Sequence, residues 1–251
     1  MFHLVDSINI ELTNKCNLNC KDCYRQNMTY KIGEIDTMLL DLILSKLRLF
    51  RGEVFLHWRG EPLLHSKISQ VANLLSNFNY SYTLFTNLTT NVNILYEYPD
   101  LINKLYISLD AFHSESEKKL EYYENIIIDL KAKTNIKSIF INSVVDMNNI
   151  KYSFILQKSF QKLVSGIFFR KSTHLSAINR KQQINAKCKL AYPHTLFISW
   201  DGNIFPCCMD INGKYPLGNI LSKEPFIFND KINDLCSKCE ISAINTRNIF
   251  D

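Results

Sequence analysis

The sequence predicts an α/β protein, a partial (β/α)6 TIM-like barrel over residues 1–170. A connector over 171–187 leads to a small C-terminal β-hairpin plus helix domain over 188–251. Three observations carry this. Strand-like and helix-like segments alternate about six times between Ser7 and Arg170, the pattern of a parallel sheet with helices outside it. Six units fall short of the eight of a closed barrel and its roughly 250 residues. The eight cysteines gather at two ends, three between Cys16 and Cys23 and five between Cys188 and Cys239.

Taken in order, Ile8, Ile10 and Leu12 alternate with polar residues, a strand of period two. Asp36 stands where an N-cap belongs, ahead of Leu39, Leu42, Ile43, Leu47 and Phe50 at helical spacing. Val54 to Trp58 reads as the second strand and Ile68 to Phe78 as the second helix. Tyr82 to Thr86, Lys104 to Leu109, Ser138 to Val145 and Ile167 to Arg170 read as strands three to six. Helical stretches at Val92 to Tyr98, Ser114 to Lys133 and Tyr152 to Leu163 separate them. After the connector, Thr195 to Ser199 and Asn203 to Phe205 flank Asp201-Gly202, a strong hairpin signal.

Composition narrows the function classes. The 251 residues are 46% hydrophobic and 21% charged, ordinary for a soluble globular chain. The net charge of +5 comes from 29 basic and 24 acidic residues spread without runs, so no nucleic-acid surface is expected. The first ten residues lack a signal-peptide pattern, and no apolar run approaches the ~18 residues of a membrane span. A cytoplasmic location is therefore expected, with no membrane partner. That compartment keeps thiols reduced, so metal binding explains the paired cysteine groups better than disulfides do.

Cys16, Cys20 and Cys23 follow the first strand at C-x3-C-x2-C spacing. Three thiolates on one loop can hold three corners of an iron-sulfur cluster and leave the fourth iron free. Downstream, Cys188, Cys207, Cys236 and Cys239 supply four thiolates, enough to close a tetrahedral zinc site or a second cluster. Ligand count does not separate these two. Cys208 is left over, as a spare thiol, a substitute ligand or a substrate-facing group.

The first trio resembles the signature of the radical S-adenosylmethionine (SAM) superfamily. His57-Trp58-Arg59-Gly60-Glu61-Pro62, after strand two, resembles that family's Gly-Gly-Glu-Pro motif, with Arg59 in place of the first glycine. The C-x13-G-x4-C run from Cys188 through Gly202 to Cys207, followed by Cys236-x2-Cys239, resembles the twitch domain, a shortened SPASM domain. In layout the chain is most similar to the family's 2-deoxy-scyllo-inosamine dehydrogenases. The family position before the third cysteine is commonly aromatic, whereas Asp22 stands here and Tyr24 follows the cysteine.

The resemblance implies a six-unit barrel, SAM, a [4Fe-4S] cluster on Cys16, Cys20 and Cys23, and one auxiliary [4Fe-4S] cluster on Cys188, Cys207, Cys236 and Cys239. It implies SAM contacts at Tyr24, Gly60, Glu61, Pro62, Asn87, Ser108, Asp110 and Asn142, although Asn, Asp and Ser also serve turns without any ligand. Barrel enzymes work at strand C-termini, which makes Arg59 and Arg170 candidates for substrate contact. Asp210, beside the auxiliary cysteines, and His57 join them, His57 more as an interior histidine than as a base. The activity implied is cleavage of SAM to a 5′-deoxyadenosyl radical that abstracts hydrogen from a small polar metabolite, such as a sugar or cyclitol alcohol undergoing oxidation. A reducing partner such as flavodoxin or ferredoxin goes with it. A peptide-modifying maturase or epimerase is the alternative, disfavoured because no recognition segment precedes the first strand. A zinc-stabilised, non-enzymatic binding protein is the remote one.

Overall fold

The computed structural model describes residues 2, 5–20, 23–108, 117–143, 167–171 and 194–223. Among them, side chains are described everywhere except at 117–120, 142–143 and 167–171.

Strands β1 (Ser7–Ile10), β2 (Glu53–Leu56), β3 (Tyr82–Thr86), β4 (Ile102–Ser108), β5 (Ser138–Ser143) and β6 (Ile167–Lys171) follow one another as parallel neighbours. Helices α1 (Thr37–Lys46), α2 (Ile68–Ser76), α3 (Asn93–Glu97) and α4 (Glu117–Lys133) occupy the first four crossovers. The expected helix at 152–163 lies outside the described residues. So do the ends of the expected strands at Leu109 and at Val144 and Val145.

The alternation of side chains decides which face is covered. Val54, Leu56, Leu84, Leu105, Ile107, Ile139 and Ile141 are buried, and they share one core with Leu40, Ile43 and Leu44 of α1 and Val71, Ala72 and Leu75 of α2. Phe55, Phe85, Tyr106 and Phe140 alternate with them and are only partly buried, so they stand on the opposite, concave face. Asp36 caps α1 as its sequence position implied, its side chain accepting from the Met38 N–H at 2.8 Å.

The hairpin β7 (Thr195–Ile198) and β8 (Asn203–Phe205) forms around Gly202, whose φ of +82° is the left-handed conformation its turn requires. Strand β9 (Gly218–Asn219) adds to β8. The sequence placed this hairpin in a separate C-terminal unit. The structure pairs β7 in parallel with β1, from Ser7 against Thr195 to Ile10 against Ile198, so the hairpin continues the barrel sheet to nine strands. The pairing satisfies the backbone of β1, which would otherwise be the sheet's open edge.

The α1 cap gives a direct check. Asp36→Ala should lower unfolding free energy by about 1 kcal/mol, read as a shift in denaturant midpoint at constant slope, while Asp36→Asn should lose far less.

Candidate active site

The loop after β1 is held at both ends before its first cysteine begins. Asn14, fully buried, donates from its side chain to the Lys31 carbonyl at 2.8 Å and accepts from the Gly33 N–H at 2.8 Å. The Thr13 hydroxyl donates to the Gly33 carbonyl. Gly60 lies so close beneath that an added Cβ would run into the carbonyl oxygens of Thr13 and Lys15. The Glu61 N–H donates to Lys15 O at 2.8 Å. The Gly60-Glu61 turn and the start of the cysteine loop are thus one unit, and glycine is required by the close approach.

Cys16, Cys20 and Cys23 are half-buried, form no disulfide, and line one cleft with Tyr24, Arg25, His57, Arg59, Gly60, Glu61, Phe85, Asn87 and Ser108. Asn17 ties the loop to the end of β3, donating to Thr89 Oγ1 at 2.8 Å and accepting from Asn87 Nδ2 at 3.2 Å. Gln26 donates to the Cys20 carbonyl. Burial pushes the Cys16 thiol up, against a backbone hydrogen bond from Leu18 and the Arg25 charge. Iron coordination would remove that obstacle, since a coordinating thiol is deprotonated outright. Among the described residues no three His, Cys, Asp or Glu side chains converge as the ligands of a single ion do. A four-iron cluster instead takes each thiolate on its own iron, which suits three cysteines arranged around a cleft.

Glu61 is buried and accepts three hydrogen bonds, from Leu63 N–H, Thr86 Oγ1 and Asn87 N–H. Burial raises its pKa while these bonds oppose the rise. A carboxylate offers about four acceptor positions, so one remains for a donor in the cleft. Pro62 opens a short 3-10 turn and is buried beneath it. Tyr24 lines the cleft with its ring, and its hydroxyl donates to the Trp58 carbonyl at 2.6 Å.

Register assembles the concave face into two rows. Ser108 on β4 stands opposite Asn142 on β5, and Asn142 stands opposite Arg170 on β6, so three of the expected contact positions share one row at the strands' C-terminal ends. One row below, His57, Phe85, Tyr106 and Phe140 stack in succession, with ring centroids 4.2, 4.2 and 4.5 Å apart. Burial keeps the His57 imidazole neutral, lowering its pKa to about 4.

Two expected contact residues are engaged by the scaffold. Arg59 is 2% exposed and makes a two-bond ion pair with the fully buried Glu11, Nε to Oε1 at 2.7 Å and Nη2 to Oε2 at 2.6 Å. Its Nη1 donates to the Ile211 carbonyl, and its guanidinium lies 3.9 Å from the Trp58 ring centroid and 4.1 Å from that of Tyr30. Three of its five N–H groups are so engaged, and the Nε–Nη2 fork is taken up by Glu11 where Arg59 meets the cleft. Asp210 accepts from the Lys214 and Tyr215 N–H groups, both at 2.7 Å, and so closes its own turn. Cys207 is buried in the loop after β8, its thiol pushed up by hydrogen bonding with the Cys208 thiol and by burial. Asp22, Asp110, Cys188, Cys236 and Cys239 lie outside the described residues.

Comparison with known proteins adds family context. Residues 188–240 match the SPASM iron-sulfur cluster-binding domain. The fold aligns with the crystal structure of BtrN in complex with AdoMet and 2-DOIA at a TM-score of 0.60 and 19% identity, covering 94% of this chain and 87% of that one. The chain thus shares the fold of that protein, and its C-terminal part is similar to a SPASM domain. It also aligns with anSMEcpe with bound AdoMet and a Cp18Cys peptide at a TM-score of 0.61 and 15% identity, over 95% of this chain and 83% of that one. A probable GTP 3′,8-cyclase of Methanococcus aeolicus is 24% identical over 164 residues, 58% of this chain and 52% of that protein. The chain therefore spans about half the length of that curated relative. Among the described residues no helix is long and apolar enough to cross a membrane.

Sequence reasoning missed Glu11, Asn14 and Trp58. A lone carboxylate in the strand run from Ile8 to Leu12 was the available signal for Glu11. The ion pair can be checked by Arg59→Ala, which strands the Glu11 carboxylate in the interior and should cost about 3–5 kcal/mol in unfolding free energy. A residue serving only substrate would leave stability nearly unchanged.

Proposed function

We propose that this protein is a radical SAM enzyme that cleaves SAM and abstracts hydrogen from a small polar metabolite, with oxidation of a sugar or cyclitol alcohol as the reaction. The observation that carries it is the cleft shared by Cys16, Cys20 and Cys23 and the Gly60-Glu61 turn. Three protein thiolates leave one iron of a four-iron cluster open to a small-molecule ligand. When bound, cluster and SAM supply the radical chemistry.

The chain's own residues bind and orient. Cys16, Cys20 and Cys23 hold the cluster, and Cys207, with Cys188, Cys236 and Cys239, holds an auxiliary one. The remaining acceptor position of Glu61 suits the ammonium of SAM, and Asn87, Ser108, Asn142 and Tyr24, together with Asp110 from the sequence pattern, are proposed for its other groups. Arg170, in register with Asn142, remains the first choice for substrate contact, because a guanidinium grips carboxylates or hydroxyls in a fixed fork. The stacked row of His57, Phe85, Tyr106 and Phe140 closes the chamber floor and keeps water from the reacting carbon. Reduction by a flavodoxin or ferredoxin and a cytoplasmic setting belong to the same proposal.

The alignment with BtrN, bound to AdoMet and 2-DOIA, supports the small-molecule reading. The alignment with peptide-bound anSMEcpe supports a second one, a peptide-modifying enzyme. Anaerobic turnover with deuterated candidate cyclitols and peptides separates them. Deuterium should pass from a carbinol carbon of a cyclitol into 5′-deoxyadenosine, and transfer from a peptide alone would favour the second reading. Replacing Cys16, Cys20 and Cys23 together by alanine should abolish 5′-deoxyadenosine formation; persistence of that product would contradict the assignment.

A further inference from the structure

Trp58 touches both cysteine loops with different atoms. Its carbonyl accepts from the hydroxyl of Tyr24, the residue after Cys23, at 2.6 Å. Its indole Nε1–H donates to the carbonyl of Cys208, the residue after Cys207, at 2.9 Å. The ring is 3% exposed and packs on Phe197 and Phe205, with centroids 5.2 and 5.3 Å away. Packing in that cluster asks only for an aromatic ring. The bond to Cys208 asks for a donor, which phenylalanine lacks and the indole provides.

Groups that hydrogen-bond around metal ligands orient them and tune the metal. Such groups ordinarily serve one site, but here one residue lies between two cysteine loops that are more than 180 positions apart in sequence. We propose that Trp58 is a positioning residue shared by both sites, so that a disturbance of its indole N–H reaches the Cys207 loop directly and the Cys23 end of the first loop through Tyr24. The proposal rests on the reading that both cysteine groups hold iron-sulfur clusters.

Trp58→Phe keeps an aromatic ring in the cluster and removes the N–H donor together with the indole's pyrrole half. The test compares anaerobically reconstituted wild type and variant by electron paramagnetic resonance after reduction, and by iron retention against a chelator. The signals are assigned with a Cys236→Ala, Cys239→Ala background that lacks the auxiliary cluster. The expected result is a changed line shape for both clusters, with auxiliary iron retention falling about 10–100-fold. Tyr24→Phe removes the other hydrogen bond and should also change both signals, which keeps the proposal testable if Trp58→Phe does not fold. A variant that alters one cluster and leaves the other as in wild type overturns the shared role. Wild type that fails to assemble two clusters overturns the underlying reading instead, and with it this proposal.

Discussion

The buried ion pair between Glu11 and Arg59 is the constraint on which the rest of the site depends. Glu11 follows β1, Arg59 follows β2, and Ile211, which accepts the third guanidinium bond, belongs to the loop after β8. Two opposite charges removed from water incur a desolvation cost of several kcal/mol per ion, which only close geometry offsets. Here that geometry is a two-bond fork with aromatic rings on the guanidinium. Either partner alone would be a stranded charge, so the turn after β2 is fixed relative to β1. Gly60 and Glu61, the next two residues, inherit that placement and pass it to Lys15 and the cysteine loop.

The same constraint explains why Arg59 stands where the Gly-Gly-Glu-Pro motif that this turn resembles has a glycine. A glycine at position 59 would leave room over the turn but no charge for Glu11. Arginine fills the space and binds three segments at once, so the substitution belongs to the scaffold of the cleft and not to its contents. Among the described residues, the three thiols, Glu61, Asn87 and Ser108 line the cleft beside it.

Much of this was legible in the sequence, for identifiable reasons. Local chemistry read correctly: the Asp36 cap, the Gly202 turn and the strand segments of β2 to β5 each depend on neighbours a few residues away. The cysteine spacing and the Gly-Glu-Pro turn announced a cleft at the strands' C-terminal ends, and both line it. Non-local pairing did not read. Arg59 and Glu11 are 48 positions apart, and nothing in either residue names the other, so an arginine at a strand end looked free for substrate. Asp210 misled for the opposite reason, because its partners are backbone N–H groups four and five residues on, which any sequence possesses. The parallel pairing of β7 with β1 joins segments 188 residues apart and has no local signature.

The central claim is that the cleft at Cys16, Cys20 and Cys23 holds a four-iron cluster with one iron open to SAM. Electron paramagnetic resonance of the anaerobically reconstituted, reduced protein, recorded with and without SAM alongside a metal assay, tests it most directly. The account predicts a brown protein with about eight irons per chain and a signal from the first cluster that shifts when SAM is added, in wild type and in the Cys236→Ala, Cys239→Ala background alike. A colourless protein containing zinc, or a cluster signal indifferent to SAM, would contradict it.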